Sequence, residues 1–240
     1  MFCDSQNNPD ETRPNVNVCP ICMGHPGTLP TINKEAVRQV LRVGVAVGGT
    51  LADETEFSRK NYFYPDIPKG YQISQYAHPL VSAGTLHGVA LTRIHLEEDT
   101  GISLHDRGDY SLLDFNRAGV PLLELVTEPV IHSGKDASLF ARELQLLLRA
   151  LSASDANMEK GEMRVEANIS VNQNAEGKMQ KLGTKVEVKN LNSFKAVERA
   201  IEYETKRQSV LLERGEGVTQ ETRGWNEQKQ ETFSQRANEE

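Results

Sequence analysis

Three short stretches of this chain alternate apolar and polar residues with a period of two. In GVALTRIHLEED, residues 88–99, Arg93, His95 and Glu97 fall on one side and Ile94 and Leu96 on the other. In EMRVEANISV, 162–171, Arg164, Glu166, Asn168 and Ser170 oppose Met163, Val165, Ala167, Ile169 and Val171; in TKVEVKN, 184–190, Lys185, Glu187 and Lys189 oppose Val186 and Val188. Successive side chains of a strand point to opposite faces, so each stretch reads as a strand with one face for a core and one for charge. Such strands suit an antiparallel sheet with one wet side better than a parallel sheet buried on both. The expected fold class is α+β: a mostly antiparallel sheet with helices packed behind it and an open polar surface in front.

The helices are marked by their caps. Asn33 precedes NKEAVRQVLRVGVAVGG, where Val37, Val40, Leu41 and Gly44 form a stripe and Gly48-Gly49 end the run. Ser133 and Asp136 have capping-box spacing ahead of a stripe of Leu139, Phe140, Leu144, Leu147, Leu148 and Leu151. A third helix is predicted from about Ser193 to Arg214, with a solvated face of Glu, Lys and Arg.

Length and charge narrow the class. A chain of 240 residues can hold one large domain or two small ones, and its net charge of −7 argues against strong nonspecific binding to nucleic acid. No apolar stretch approaches a membrane span, and three cysteines, an odd number, fit a reducing compartment better than a disulfide framework. A cytoplasmic protein without membrane contact is the expectation. The opening MFCDSQ and closing FSQRANEE lack a strand, cap or turn that would begin or end a domain, so both ends read as cut.

Three local patterns carry candidate chemistry. In PLLELVTEP, Glu124 interrupts an apolar strand, and a carboxylate among leucines and valines is costly unless a cation or donor meets it. If its strand lies beside HLEED, Glu97 and Glu124 supply oxygen ligands for Mg²⁺; a pair between Glu124 and Arg117 would satisfy the same burial. Cys3, Cys19 and Cys22 form C-x15-C-x2-C, with CPIC like one knuckle of a zinc ribbon, but Ser5 stands where a second cysteine is needed. His25 and Asp4 are the candidates for a fourth ligand, the alternative being no zinc. The stretch RKNYFYPDIPKGYQISQY, 59–76, holds four of the six tyrosines beside Pro65, Pro68 and Gly70. It reads either as a surface loop whose rings pack down or as a rigid wall lining a polar site, with Lys60, Asn61, Lys69, Gln72 and Ser74 as donors. No glycine-rich phosphate loop of either common type occurs, so a bound nucleotide has to be held by metal and basic residues.

Longer motifs then point to one family. VCPICMGHPGTLPTIN, RKNYFYPDIPKGYQISQY, IHLEEDTG with DFNRAGVPLLELVTEP, MEKGEMRVEANISV, and GTKVEVKNLNSFKAVERAIEYETKRQ followed by QETR occur in order along nearly the whole chain. They resemble the B subunit of the bacterial and organellar aspartyl/glutamyl-tRNA amidotransferases. The resemblance implies a glutamine-synthetase-like cradle domain over 1–240, incomplete, with a cysteine-bearing loop segment at 1–30 and without the helical and tail domains that grip tRNA. It implies ATP-dependent phosphorylation of the side-chain carboxylate of misacylated Glu-tRNA(Gln) or Asp-tRNA(Asn), then amidation by ammonia from a glutaminase subunit of amidase type. A small third subunit, which clasps the other two, makes the implied assembly a heterotrimer.

Carried over by motif, Glu97 and Glu124 are Mg²⁺ ligands and Glu98 lies near the mouth of the ammonia path, the three forming the catalytic set. Arg164, Glu166, Lys185 and Lys189 are assigned to ATP phosphates or the acceptor end because they share the polar face; Lys60, Lys69 and Tyr64 of the tyrosine-rich loop join them. The family begins with a strand containing Glu-x-His and this sequence starts after it, and zinc-bearing members have F-C-x-C where this chain has FCDS. The fragment alone is therefore expected to be inactive. A noncatalytic tRNA- or subunit-binding module of the same fold is the alternative; a zinc-ribbon nucleic-acid binder is disfavoured by Ser5 and the lack of a basic stripe.

Overall fold

In the computed structural model, which describes residues 1–104, 108–172 and 182–237, the chain divides into two units, Met1–Val130 and Ile131–Glu240. The last three residues of FSQRANEE lie outside the described residues. The class is α+β, with three helices and mostly antiparallel strands among the described residues. Among the described residues no helix is long and apolar enough to cross a membrane.

The first unit runs α1 (Lys34–Ala46), β1 (Thr50–Leu51), β2 (Ser58–Asn61), β3 (Tyr71–Ser74), β4 (Val81–Ser82), β5 (Thr85–Leu86), β6 (Val89–Glu98), β7 (Ile102–Leu104), β8 (Leu112–Asp114) and β9 (Pro121–Thr127). Asn33 caps α1 by accepting from the backbone N–H groups of Glu35 and Ala36, at 2.9 and 3.3 Å, and Gly48 turns the chain out of the helix at φ +66°. The buried stripe is Val40, Val43 and Gly44. Gly44 is where α1 meets the sheet: a Cβ there would stand 2.5 Å from Cγ2 of Val81. The long strand β6 organises the sheet, with β4, β5 and β9 all antiparallel to it and β1 beyond β4. Leu91, Ile94 and Leu96 fill the core side of β6 together with Val81.

The polar side of β6 is not the open surface expected from its alternation. His95 and Glu97 are buried. The tyrosine-rich stretch forms a regular hairpin, β2 paired with β3, and the segment from Tyr71 to Gln75 reaches this end of β6. Because β4 pairs only with Ile94 and Arg93, the N–H of Leu96 faces an edge without a strand, and the side-chain carbonyl of buried Gln75 accepts it at 3.1 Å. Polar residues in a proline-rich stretch thus cap the polar face of the neighbouring strand.

The second unit contains α2 (Gly134–Ala150), β10 (Val165–Ile169), β11 (Val186–Leu191), α3 (Phe194–Glu213), β12 (Glu221–Asn226) and β13 (Glu231–Ala237). Ser133 caps α2 through the N–H of Asp136, and Ser193 caps α3 through the N–H of Ala196. The α2 stripe is rotated from the expected one: Leu139 is 39 % exposed while Ser138 and Ala141 are buried, because α2 packs small residues against α3. The sheet order is β10-β11-β12-β13, antiparallel except for β11 with β12, which α3 connects as a parallel crossover. Its core gathers Ile169, Val186, Val188 and Leu191 of the sheet, Ala196, Val197 and Ala200 of α3, and Trp225. The Trp225 ring meets Tyr203 edge-on at 6.3 Å and donates its N–H to Glu227 at 2.6 Å.

One side of α3 carries charge into this core. Glu204 is fully buried, and its carboxylate accepts from Arg207 at 2.9 and 2.7 Å, Gln208 at 2.9 Å and Thr232 at 2.9 Å, with Arg223 at 3.5 Å. The three alternating stretches, read from sequence as one sheet, therefore lie in two: β6 in the first unit, β10 and β11 in the second. Alternation fixes which face a side chain takes, not which sheet its strand joins.

Candidate functional site

Strand register assembles the site. In the β6–β9 pair His95 stands opposite Glu124 and Glu97 opposite Leu122. Directly opposed residues share a face, and so do residues two apart, so His95, Glu97 and Glu124 meet on one side of the pair. Ligand atoms of the three lie within 4.8 Å of one another. Nε2 of His95 is 3.3 Å from a Glu97 oxygen and 3.5 Å from a Glu124 oxygen. Its Nδ1 is buried and has no partner among the described residues.

β3 holds Glu97 in place. The hydroxyl of Ser74 donates to one carboxylate oxygen, and the amide of Gln72 donates to the other at 3.3 Å and to the Glu98 carbonyl at 2.8 Å. Burial pushes the Glu97 carboxyl up, but bonds from His95 and Ser74 outweigh it and bring it down to about 2. Glu124 shifts the other way, raised by burial and then by the Glu97 charge. Its side chain is 44 % exposed, so it is the open member of the set, not the fully desolvated carboxylate its apolar neighbours suggested. Two carboxylates, one anionic and one resisting ionisation beside it, leave a deficit of positive charge that a divalent cation offsets. This donor set fits a hard cation held by Glu97 and Glu124.

The other candidates are distributed. Glu98 is buried against the ammonium of Lys69 and accepts the N–H of Ile73 at 3.4 Å. Arg117 pairs with Asp99, at 3.1 and 2.5 Å, and the partner of Glu124 is His95; the alternative Arg117–Glu124 pair is thereby corrected. Lys60 and Tyr64 lie exposed on the β2–β3 hairpin. Glu166 and Lys189 form a 3.3 Å pair in the second unit's sheet, with Glu187 3.6 Å from the same ammonium, while Arg164 and Lys185 flank β10 and β11. The single polar face that grouped these four with Glu97 and Glu124 is corrected to two faces on two sheets. His95 and Gln75 went unassigned in the sequence, although His-x-Glu on the polar side of a strand was the signal for the first.

The three thiols converge. Cys22 Sγ is 3.4 Å from Cys3 Sγ and 3.4 Å from Cys19 Sγ, and the Ser5 hydroxyl is 4.0 Å from Cys22 Sγ. Neither His25 nor Asp4 belongs to the cluster. Three thiols and an alcohol do not complete a closed four-ligand zinc site. Burial pushes the Cys19 thiol up, but bonds from the Cys22 N–H and the Ser5 hydroxyl prevail and bring it to about 7; burial and its thiol neighbours push Cys22 up to about 12.

The whole of residues 1–240 matches the family described as the GatB/GatE catalytic domain. The chain belongs to that family. Among similar GatB/GatE relatives is the B subunit of the aspartyl/glutamyl-tRNA(Asn/Gln) amidotransferase of Gloeothece citriformis, 46 % identical over 259 residues that cover 100 % of this chain and 52 % of the relative. Its counterpart in Thermus thermophilus is 48 % identical over 244 residues, covering 100 % and 51 %, and that of Thermodesulfovibrio yellowstonii 48 % over 235 residues, covering 95 % and 49 %. The chain thus spans about half the length of the GatB/GatE relatives it matches.

Proposed function

We propose that this chain is the catalytic part of the B subunit of a tRNA-dependent amidotransferase, which activates the side-chain carboxylate of misacylated Glu-tRNA(Gln) or Asp-tRNA(Asn) with ATP and amidates it. The observation that carries the reading is the β6–β9 register, which brings Glu97 and Glu124 together beside His95 in a chain of this family. In this reading Glu97 and Glu124 hold Mg²⁺, which offsets charge on the phosphates of ATP. Ser74 and Gln72 keep the Glu97 carboxylate turned toward the site, and the imidazole of His95 fixes the spacing of the two carboxylates. A free carboxylate is a poor acceptor for ammonia; transfer of the γ-phosphoryl group to one of its oxygens creates a leaving group that ammonia displaces, releasing phosphate and leaving the amide.

Glu98 borders the route by which ammonia arrives. Lys60, Lys69 and Tyr64, in the same unit as Glu97 and Glu124, contact ATP phosphates or the aminoacylated acceptor end; Arg164, Glu166, Lys185 and Lys189 lie on or beside the second unit's sheet and do not share the face that assigned them to that role. The partners are a glutaminase of amidase type and a small third protein that clasps the two, in a cytoplasmic heterotrimer.

The test is Glu124→Gln in the full-length protein, assembled with those partners. The expected outcome is a fall in ATP-dependent amidation of roughly 10²-fold or more, with the circular dichroism spectrum unchanged. Amidation that survives the substitution makes Glu124 structural, and a noncatalytic tRNA- or subunit-binding role then becomes the better reading.

A further inference from the structure

The thiol cluster is built, and nothing in the amidation chemistry uses it. Three cysteines separated by up to 18 intervening residues bring their sulfurs together, with Cys22 buried and in contact with both others at 3.4 Å, while Cys3 and Cys19 are each partly exposed. All three are free. Among the described residues a closed zinc site lacks its fourth ligand, since Ser5 offers only an alcohol and His25 and Asp4 are elsewhere. What three adjacent thiols with one buried hub can do without a metal is exchange with disulfides.

We infer that Cys19 and Cys22 are a reversible redox pair, oxidised to a disulfide by low-molecular-weight disulfides, with Cys3 held beside the hub as the remaining thiol. The pair sits within one turn, since the N–H of Cys22 already points at Cys19 Sγ at 3.4 Å and the turn continues with Met23 N–H to the Cys19 carbonyl at 3.0 Å. Closing the bond needs side-chain rotation within that turn and no rearrangement of distant chain.

The step balances as an ordinary two-stage exchange. The thiolate of the partly exposed Cys19 attacks one sulfur of the small disulfide, whose S–S bond breaks and whose departing sulfur takes up a proton. The Cys22 sulfur then attacks Cys19 in the mixed disulfide, the protein S–S bond forms, and the second small thiol leaves with the proton lost from Cys22. Two protein thiols are oxidised, and one small disulfide is reduced to two thiols.

Cys22 lines a small recess with Lys69, Glu98 and Gly119. A Cβ at Gly119 would stand 3.5 Å from a Glu98 oxygen and 4.0 Å from Cys22 Sγ, so Cys22 and the buried Lys69–Glu98 pair border the same glycine.

The experiment incubates the full chain with glutathione at stepped ratios of reduced to oxidised form, traps free thiols by alkylation, and reads intact mass and linked peptides. Expected is a loss of two of the three alkylatable thiols, with a Cys19–Cys22 linked peptide that disappears on reduction. Cys22→Ser removes the linkage; if that buried variant does not fold, Cys19→Ser, at the more exposed partner, serves the same purpose. Three alkylated thiols at every ratio, glutathione adducts without an internal linkage, or one bound zinc per chain that shields all three thiols would each overturn the inference.

Discussion

Glu97 and Glu204 are both buried carboxylates, yet they are held for different ends. Glu204 is enclosed by two guanidinium groups, an amide and a hydroxyl. Removing its charge leaves Arg207 and Arg223 with a partner short in a desolvated setting, and breaking a buried pair costs roughly 3–5 kcal/mol. Glu204→Gln is therefore expected to lower the stability of the second unit by about that amount, measured as a shifted urea midpoint in circular dichroism. Glu97 is instead held low by donors that a cation would join. Its carboxyl lies at about 2 in the folded chain against an ordinary 4.5, so it contributes stability above pH 4.5 that is lost as pH falls toward 2. Glu124, raised, has the opposite sign: its contribution is present at low pH and lost as pH rises through its elevated value. Glu97→Gln should flatten the acid limb of stability between pH 4.5 and 2, followed by urea unfolding at stepped pH.

At the scale of elements, what the sequence makes legible is local. Asn33, Ser133 and Ser193 each begin a helix where their spacing to the apolar stripe places it, because a cap satisfies N–H groups within the next three residues. The alternation of Val186 and Val188 against Glu187 and Lys189 was equally readable. The neighbour of a strand was not. Whether Glu97 meets Glu124 depends on pairing across a gap that contains a second hairpin, and whether the N–H of Leu96 is satisfied depends on Gln75 closing an edge from a stretch dominated by proline and tyrosine. Such contacts have no local signature. The same holds for Gly44, whose role is visible only with Val81 against it. Gly44→Ala gains about 1 kcal/mol of helix propensity but forces a methyl to 2.5 Å from a fully buried valine, an overpacking of roughly 1–3 kcal/mol. Net destabilisation of the first unit is expected, checked by its melting temperature.

At the scale of the molecule, the two units have separate means of support. The second unit has its own apolar cluster, a four-stranded sheet, two capped helices and the Glu204 network, all drawn from residues after Ile131. Residues 131–240 expressed alone are expected to unfold cooperatively, with a sigmoidal denaturant transition and native-like circular dichroism; a featureless, gradual loss of signal would show that this core does not suffice. Trp225, edge-on to Tyr203 in that core, is the only tryptophan in the chain. Its emission under long-wavelength ultraviolet excitation is therefore an optical label that evolution has already placed in one unit and withheld from the other. Fluorescence follows the second unit alone, circular dichroism follows both, and the separation between the two curves measures the first unit without any added dye.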